Sequence, residues 1–391
     1  MTKPIYLDNQ ATTPLDPEVL KAMLPFFHEK FGNASSVHHA YGVESKEAVE
    51  KARKVLARSI GAKEREIIFT SGATEAINLA IKGVAGNYNS KHHIITQATE
   101  HSAVLDTCRS LERKGWDVSI LPVNSTGMVD PQSIANAITD ETILVSIMHA
   151  NNEIGTIQPI KQIGDICKKN SILFFVDACQ SLGKLELDVH DMKIDLLAAT
   201  AHKLYGPKGI GLLYACQKDP KVTLEMQMDG GGHERGFRSG TLPVPLIIGF
   251  AKAIEISLRN RESEYSFLRK LRDDLWNGIK KQHPDVILNG SVENGLPHNL
   301  NLCFPNLEAE TMIMKMKGIA CSIGSACSST NLEPSHVIKA LGRDTELAHS
   351  AIRFSLGRFN TPKEIENATI EINSVIDTMK FDKRKRKKQI F

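Results

Sequence analysis

Short apolar segments alternate with longer segments of helical periodicity over the first half of the chain. The apolar segments lie at residues 66–70, 93–97, 143–149, 172–178, 195–201 and 209–215. Between them, as in residues 45–60 and in the segment that starts at Ser71, apolar residues recur at the spacing of one helix face. This alternation predicts an α/β fold whose mostly parallel sheet is covered by helices on both faces.

The pattern changes after residue 250. A long charged segment, residues 252–281, has the periodicity of one amphipathic helix, and two short apolar segments follow it at 286–290 and 300–304. This order is typical of a smaller α+β domain. We therefore predict a large domain at residues 14–257, a small domain made of residues 1–13 and 258–380, and a basic tail at residues 381–391.

The composition is that of an ordinary globular protein. Of the 391 residues, 41% are hydrophobic and 24% are charged, and the longest apolar runs fall far short of the roughly 18 residues of a membrane span. The first residues show neither an apolar signal core nor an arginine-rich presequence, so we expect a cytoplasmic location, or an organelle matrix in a eukaryote. Much of the net charge of +3 comes from residues 383–388, which predicts a solvated, disordered tail without stable nucleic-acid contact.

Seven cysteines at irregular spacing argue against a disulfide framework. No Cys-x-x-Cys pair occurs, so we expect no metal site of the chain's own. Four cysteines lie in apolar or helical patterns typical of small buried side chains: Cys108, Cys167, Cys216 and Cys303. Cys327 differs, because its neighbours in Gly-Ser-Ala-Cys-Ser-Ser offer almost no side chain to pack against it. It is our candidate for thiol chemistry.

Polar residues follow the apolar segments at the points where parallel strands would end, which is where ligands bind in such sheets. Residues 71–74, Ser-Gly-Ala-Thr, open a helix and expose backbone N–H groups that suit a phosphate, although a Ser/Thr cap with Glu75 in the first turn explains them equally well. Asp177 ends a buried strand, with Gln180 three residues on. It either caps the next helix or pairs with a protonated heterocycle.

Lys203 follows another apolar segment, together with Thr200 and His202. Burial would lower the pKa of this amine towards that of a nucleophile that forms a Schiff base; the alternative is a surface lysine before a turn. His101 follows a third segment, where a single histidine is more often structural, and Asn152 follows a fourth. A phosphate-binding turn, a buried aspartate and a strand-end lysine are together what pyridoxal phosphate requires.

Long motifs around these residues occur in a characteristic order. They read YLDNQATTPLDP, FTSGATEAINLAIKG, EHSAVLDTCR, NNEIG, HKLYGPKGIG, GGGHERGFRSGTLP, GSACSSTNLEPSHV and AIRFSLGRFNT. In this order, and over residues 4–375, they resemble the motifs of the NifS/IscS-type cysteine desulfurases. The resemblance implies a fold-type I, aminotransferase-like enzyme that binds pyridoxal phosphate, forms a homodimer and converts L-cysteine to L-alanine, with the sulfur left as a persulfide on an enzyme cysteine.

The resemblance also implies a role for each candidate residue at the cofactor. Lys203 would hold the aldehyde, Asp177 would pair with the pyridinium nitrogen, and Gln180 would pair with the ring hydroxyl. The phosphate would be held by residues of two strand ends and by a residue of the second subunit: Ala73, Thr74, Thr200, His202 and Thr241 of the partner subunit.

Other residues would act on the substrate. His101 would stack on the ring and help in proton transfers, Asn152 would meet the ring and the substrate, and Arg353 would bind the substrate carboxylate through two hydrogen bonds. Cys327 would take the sulfur, in a loop at about residues 319–334, while Cys321 would be structural. The loop would pass the sulfur to an iron–sulfur scaffold protein or another acceptor, for cluster assembly and tRNA thiolation, and Cys327 would at most ligate a cluster transiently.

The sequence departs from the family pattern at three places. Cys179 replaces the usual Thr or Ala beside the cofactor, either as a second reactive thiol or as a filling side chain. Thr200-Ala201 replaces the usual Ser-Gly and keeps a hydroxyl. The long Trp-containing C-terminal extension on which the scaffold docks is lacking, which weakens the expectation of scaffold docking. Two other functions stay open: a selenocysteine lyase, which would not need Cys327, and a non-enzymatic sulfur-relay or RNA-associated protein.

Overall fold

The computed structural model describes residues 3–88, 92–323 and 333–389. Within these ranges the strands are all short, and we number them in chain order as β1 Ile5–Tyr6, β2 Ile67–Thr70, β3 His93–Gln97, β4 Asp117–Leu121, β5 Thr142–Ser146, β6 Leu173–Asp177, β7 Leu196–Thr200, β8 Gly211–Ala215, β9 Ile287–Asn289, β10 Asn299–Cys303, β11 Ile319–Ala320 and β12 Ala351–Ser355.

The helices vary more in length than the strands. In chain order they are α1 Pro17–Met23, α2 Pro25–His28, α3 Ala40–Arg58, α4 Ala73–Ala85, α5 Ser102–Glu112, α6 Pro131–Ala137, α7 Ile160–Lys169, α8 Val244–Gln282, α9 Ala309–Lys315, α10 His336–Ala340, α11 Thr345–Ala348 and α12 Pro362–Gln389. Short 3₁₀ turns lie at Glu64–Glu66, Ala201–Lys203 and Glu234–Gly236.

Seven strands form the central sheet, in the order β2-β8-β7-β6-β5-β3-β4. All neighbours pair in parallel except at β8, which runs antiparallel to both β2 and β7. Apart from the edge strand β4, these strands are almost wholly buried because helices cover both faces. The predicted mostly parallel sheet is confirmed. The reversed direction of β8 could not be predicted, since a short buried segment has the same apolar pattern in either direction.

The apolar core lies in two main clusters that share helix α8. The larger cluster lies between Val19 and Ile256 and packs helices against the central sheet. The second takes in Leu7 and residues between Leu268 and Ile376. The predicted domain boundary falls between these two clusters on α8, and the division into domains stays a prediction.

The second cluster is built around a small antiparallel sheet in the order β12-β10-β9. The N-terminal strand β1 pairs in parallel with β11, so the N-terminal segment joins this part of the fold. Helix α8 begins at Val244, well before residue 252 where its periodicity becomes clear, and Pro245 in its first turn suits a helix start.

The basic run at residues 383–388 lies in a helix, because α12 continues to Gln389. The expectation of a disordered tail is therefore wrong. Lysine and arginine are good helix formers, and their charge is favourable at the C-terminal end of a helix dipole. Over the ranges given above, no helix is both long and apolar enough to cross a membrane.

Candidate active site

A cavity of about 420 Å³ opens at the carboxyl edge of the central sheet, where β2, β3, β6 and β7 end. Most of its wall comes from residues at, or shortly after, the ends of these strands. Seven of the predicted site residues line it: Ala73, Thr74, His101, Asp177, Thr200, His202 and Lys203. The parallel strands bring these residues together because their carboxyl ends meet at one edge of the sheet.

The cavity wall at the end of β2 is the N terminus of α4. Gly72 is its N-cap residue, and no side chain caps the N–H groups of the first turn in the described structure. A Cβ at Gly211 on β8 would lie 2.7 Å from the Gly72 backbone, so glycine at 211 allows this turn to pack against the sheet. Uncapped N–H groups and the helix dipole suit an anion, so the phosphate interpretation is favoured over a Ser/Thr cap.

Glu75 in the first turn of α4 is already engaged elsewhere. Its carboxylate accepts a 2.7 Å hydrogen bond from the Ser71 N–H and a 2.7 Å ion pair from Arg238 Nε. Burial acts to raise the pKa of Glu75, but the hydrogen bonds from Arg238 and Ser71 outweigh it and hold the pKa below its ordinary value. The carboxylate therefore stays charged and paired while the helix N terminus remains open to a ligand.

Asp177, at the end of β6, is 6% exposed and faces the cavity. Its Oδ1 accepts a 2.9 Å hydrogen bond from the Cys179 N–H, and no helix follows the strand directly, so the helix-capping alternative is not formed. The Cys179 thiol lies on the cavity wall, and burial followed by the negative charge of Asp177 raises its pKa well above the ordinary value. This thiol therefore stays protonated.

Gln180 is buried and does not itself line the cavity. Its Nε2 donates a 3.1 Å hydrogen bond to the Gln10 carbonyl. Its Oε1 is buried and has no hydrogen-bond partner among the described residues. A buried amide oxygen without a donor is costly, so this atom is suited to a hydroxyl group brought by a ligand.

Lys203 lies in the 3₁₀ turn that directly follows β7, as the sequence predicts. Thr200, the last residue of that strand, donates its hydroxyl proton to the Ile210 carbonyl at 3.1 Å. His202 Nδ1 lies 3.1 Å from the Thr12 hydroxyl. Burial, together with the charge of Lys203, lowers the pKa of His202 to about 4, so its ring is neutral.

His101 is the N-cap residue of α5 and faces the cavity. Its Nδ1 accepts a 3.1 Å hydrogen bond from the Ala103 N–H, so the proton of the neutral ring lies on Nε2. Burial is the main cause that lowers its pKa; the charge of Asp177 opposes this shift, and that of Lys203 adds to it. The ring is thus fixed in position and in tautomer.

Arg353 and Asn152 lie beside one another but not on the cavity wall. Arg353, on β12, is 3% exposed, and its Nη1 donates a 2.7 Å hydrogen bond to the Asn152 carbonyl. The side-chain Oδ1 of Asn152 is buried without a partner in the described ranges. Thr241 lies further off, on an exposed loop before α8. A single chain therefore does not bring Thr241 to the cavity.

Cys327 lies outside the residues that the structure describes, so its predicted role stays a prediction. Cys321 directly follows β11, and burial and then the charge of Asp8 raise its pKa to about 12. Such a thiol is not a nucleophile at neutral pH, which favours the structural interpretation of Cys321. Among the described side chains, no group of His, Cys, Asp and Glu could hold a metal ion.

Sequence reasoning missed Glu100, which directly precedes His101. Its Oε1 accepts hydrogen bonds from the Met148 N–H at 2.7 Å and from Gln97 Nε2 at 2.9 Å. Burial raises its pKa to about 8. A carboxyl group at the end of an apolar strand was a usable signal, but its partners come from different strands and could not be read from the sequence.

The residues around the cavity fit pyridoxal phosphate. The uncapped N terminus of α4 suits its phosphate, the buried Gln180 Oε1 has no partner among the described residues, and the Asp177 carboxyl group lines the same cavity as Lys203. These three features are those that the cofactor needs at its phosphate, its ring hydroxyl and its ring nitrogen.

The comparisons with known proteins agree with this site. A family model described as aminotransferase class-V matches residues 5–368, and the chain belongs to that family. It is 53% identical over 369 residues to cysteine desulfurase IscS of Serratia proteamaculans (strain 568), which covers 94% of this chain and 91% of that protein. Within the family the chain therefore groups with the cysteine desulfurases of the IscS and NifS type.

Solved structures support the same grouping. A NifS-like protein matches with a TM-score of 0.90 at 37% identity and covers 96% of this chain and 100% of its own. A structure described as SspA in complex with cysteine matches with a TM-score of 0.79 at 36% identity. The match covers 92% of this chain and 100% of the SspA chain. The predicted family, fold class and enzyme class are confirmed.

Proposed function

We propose that this chain converts L-cysteine to L-alanine and passes the sulfur to Cys327. The observation that carries the proposal is that Lys203, His101, Asp177 and the N terminus of α4 share one cavity. A lysine, a neutral histidine, a carboxylate and an anion site are the groups that a pyridoxal phosphate enzyme needs around its cofactor. The cysteine desulfurases at 53% identity narrow the reaction within that class.

Pyridoxal phosphate would be held by this chain at four places. The N terminus of α4 would bind the phosphate, Lys203 would hold the aldehyde, Asp177 would pair with the ring nitrogen, and Gln180 would accept from the ring hydroxyl. When bound, the cofactor makes the α-proton of an amino acid acidic and so activates the sulfur at its β-carbon. Asp177 supports this by keeping the ring nitrogen protonated.

His101 would orient the ring and move protons. Its Nδ1 is occupied by the Ala103 N–H, so Nε2 is the atom that carries a proton towards the cavity. Because burial lowers its pKa, the ring is neutral near pH 7 and holds its proton at Nε2. It would take up a second proton only when Nδ1 gives up the Ala103 N–H. A fixed tautomer also prevents the ring from turning to present the wrong nitrogen.

The sulfur step transfers one sulfur atom from carbon to sulfur. The thiolate of Cys327 would attack the sulfur of the substrate, the carbon–sulfur bond would break, and a sulfur–sulfur bond would form on the enzyme. The β-carbon would then gain a proton. L-cysteine plus an enzyme thiol thus gives L-alanine plus an enzyme persulfide, and no outside oxidant or reductant is required. Arg353 would bind the substrate carboxylate, and Asn152 would contact the cofactor ring and the substrate.

The complete site would need a second copy of the chain. Thr241 lies on an exposed loop away from its own cavity, which fits a residue that reaches the phosphate of the partner subunit. A group of exposed aromatic side chains supports a dimer surface, since Phe27, Phe31 and Tyr41 are each more than half exposed and Phe31 stacks on Tyr41. The sulfur would go on to an iron–sulfur scaffold or other acceptors, including those of tRNA thiolation, in the cytoplasm.

The first experiment measures alanine released from L-cysteine by the cofactor-loaded protein with a reductant. We expect alanine from the parent and almost none from Cys327→Ser or Lys203→Ala, with the visible absorption of the bound cofactor changed in Lys203→Ala alone. Cys321→Ser is the matched control and should keep its activity. Alanine release that persists in Cys327→Ser would refute the persulfide and favour a lyase.

A mixing experiment tests the dimer. Thr241→Asp places a charge against the phosphate, and Lys203→Ala removes the lysine, so each pure variant should be inactive. A mixed dimer would contain one site with both residues intact. We expect activity to return when the two variants are unfolded and refolded together; no recovery would contradict the shared site.

A further inference from the structure

Arg353 already has a carboxylate partner in this structure. Its Nη2 donates to Asp8 Oδ1 at 2.8 Å, and the same Nη2 donates to the Ser322 hydroxyl oxygen at 2.7 Å. Ser322 in turn donates its hydroxyl proton to Asp8 Oδ1 at 2.8 Å. The guanidinium, the carboxylate and the hydroxyl thus form a closed triangle of hydrogen bonds.

The triangle occupies the nitrogen that a carboxylate clamp needs. A guanidinium can grip a carboxylate with two parallel hydrogen bonds either through Nε and Nη2 or through Nη1 and Nη2. Both edges include Nη2, and Asp8 and Ser322 take both of its protons. Nε is buried and has no partner among the described residues. On the edge formed by Nε and Nη2, a carboxylate could therefore accept from Nε but not from Nη2.

We propose that Asp8 occupies the place of the substrate carboxylate on Arg353 and exchanges with it. It neutralises Arg353 while the site is empty, gives up Nη2 when an amino acid binds, and returns when the product leaves. The proposal rests on the function proposed for Arg353. Its consequence is that the enzyme binds amino-acid carboxylates more weakly than its buried arginine would allow, which favours release of alanine.

The surrounding contacts keep Asp8 within reach for this exchange. Ser322 and Arg353 exchange backbone hydrogen bonds, with the Arg353 N–H donating to the Ser322 carbonyl at 2.8 Å. Asp8 itself forms a bridge to Ser355 on the same strand as Arg353. The backbone therefore holds all three side chains in place, and only the side-chain hydrogen bonds need to change when a carboxylate enters.

The first variant removes the charge of residue 8 and keeps its shape. An Asn side chain can place an oxygen where Asp8 Oδ1 lies. In Asp8→Asn the hydrogen bonds to Arg353 and Ser322 can persist, while the negative charge that repels an incoming carboxylate is gone. Ser322→Ala acts on the same clamp in a second way, since it frees one proton of Nη2 without removing a charge.

The test is calorimetric titration of the cofactor-loaded protein with L-alanine, which binds without turning over. We expect Asp8→Asn to bind L-alanine at least tenfold more tightly than the parent, and Ser322→Ala at least threefold. L-alaninamide has no carboxylate, and its affinity should not change. Asp285→Asn removes an exposed ion pair to Lys380 in the same part of the fold and is the matched control, with no change expected.

Affinity for L-alanine that is unchanged or weaker in both variants would overturn the proposal, as would an equal gain for L-alaninamide. The variant Arg353→Gln distinguishes a failure of the Asp8 proposal from a failure of the proposed function. If the parent binds L-alanine and Arg353→Gln binds it weakly, the role of Arg353 holds and only the exchange with Asp8 is refuted. If Arg353→Gln binds L-alanine as tightly as the parent, both are refuted.

Discussion

The ion pair between Arg53 and Glu234 fixes the loop that carries Thr241, and its removal should be costly. Arg53 Nη1 lies 2.7 Å from Glu234 Oε2, Nη2 lies 2.8 Å from Oε1, and both side chains are less than 5% exposed. Glu234 Oε2 also accepts a 2.8 Å hydrogen bond from the Phe69 N–H in β2. The guanidinium lies over the Phe69 ring, 4.6 Å from its centroid.

Glu234→Ala would leave the guanidinium buried without this carboxylate and the Phe69 N–H without its acceptor. Breaking a buried pair from one side costs about 3–5 kcal/mol of unfolding free energy. Glu50 is the matched control, because it pairs with the same arginine at 3.2 Å but is 54% exposed. Glu50→Ala should cost no more than about 1 kcal/mol.

The assay is guanidinium chloride unfolding of the cofactor-free protein, followed by tryptophan fluorescence and by circular dichroism. We expect a large fall in the midpoint for Glu234→Ala and a small one for Glu50→Ala. The double variant Arg53→Met/Glu234→Ala should recover part of the loss, since no unpaired charge is then buried. Equal effects of the two single variants, or no recovery in the double variant, would refute this reasoning.

Three further predictions follow from the site. Glu100→Gln should gain stability relative to the parent as the pH rises. Burial raises the pKa of Glu100 from 4.5 to about 8, so the parent loses unfolding free energy between those pH values, up to roughly 5 kcal/mol, and pH-dependent unfolding that is the same in both proteins would contradict this. Cys179→Ala should keep alanine release, because its thiol stays protonated; loss of persulfide formation in this variant would make Cys179 a sulfur carrier. A chain that ends at Asp382 should release alanine at the parent rate, since no described residue of α12 lines the cavity, and a large fall in rate would contradict this.

The succession of strands along the chain, and the residues at their ends, follow from local sequence patterns. A continuous apolar segment can only be buried on both faces, so a parallel sheet was predictable, and with it the gathering of His101, Asp177 and Lys203 at one edge. The alternatives at residues 71–74 and at Asp177 could not be separated in advance, because a helix cap and a ligand site use the same residue types. The geometry of the described residues bears on both: no side chain caps α4, and no helix directly follows Asp177 for it to cap.

Other features exist only in the folded chain. Asp8 and Arg353 are 345 positions apart in sequence, and nothing local to either residue indicates the hydrogen bond between them. The same is true of Gln10 and Gln180, and of Arg53 and Glu234. Sequence determines which side chains are polar and where the backbone turns. Which polar groups then meet is decided by tertiary packing, because a buried charge or amide must find its partner among whatever elements the core brings beside it.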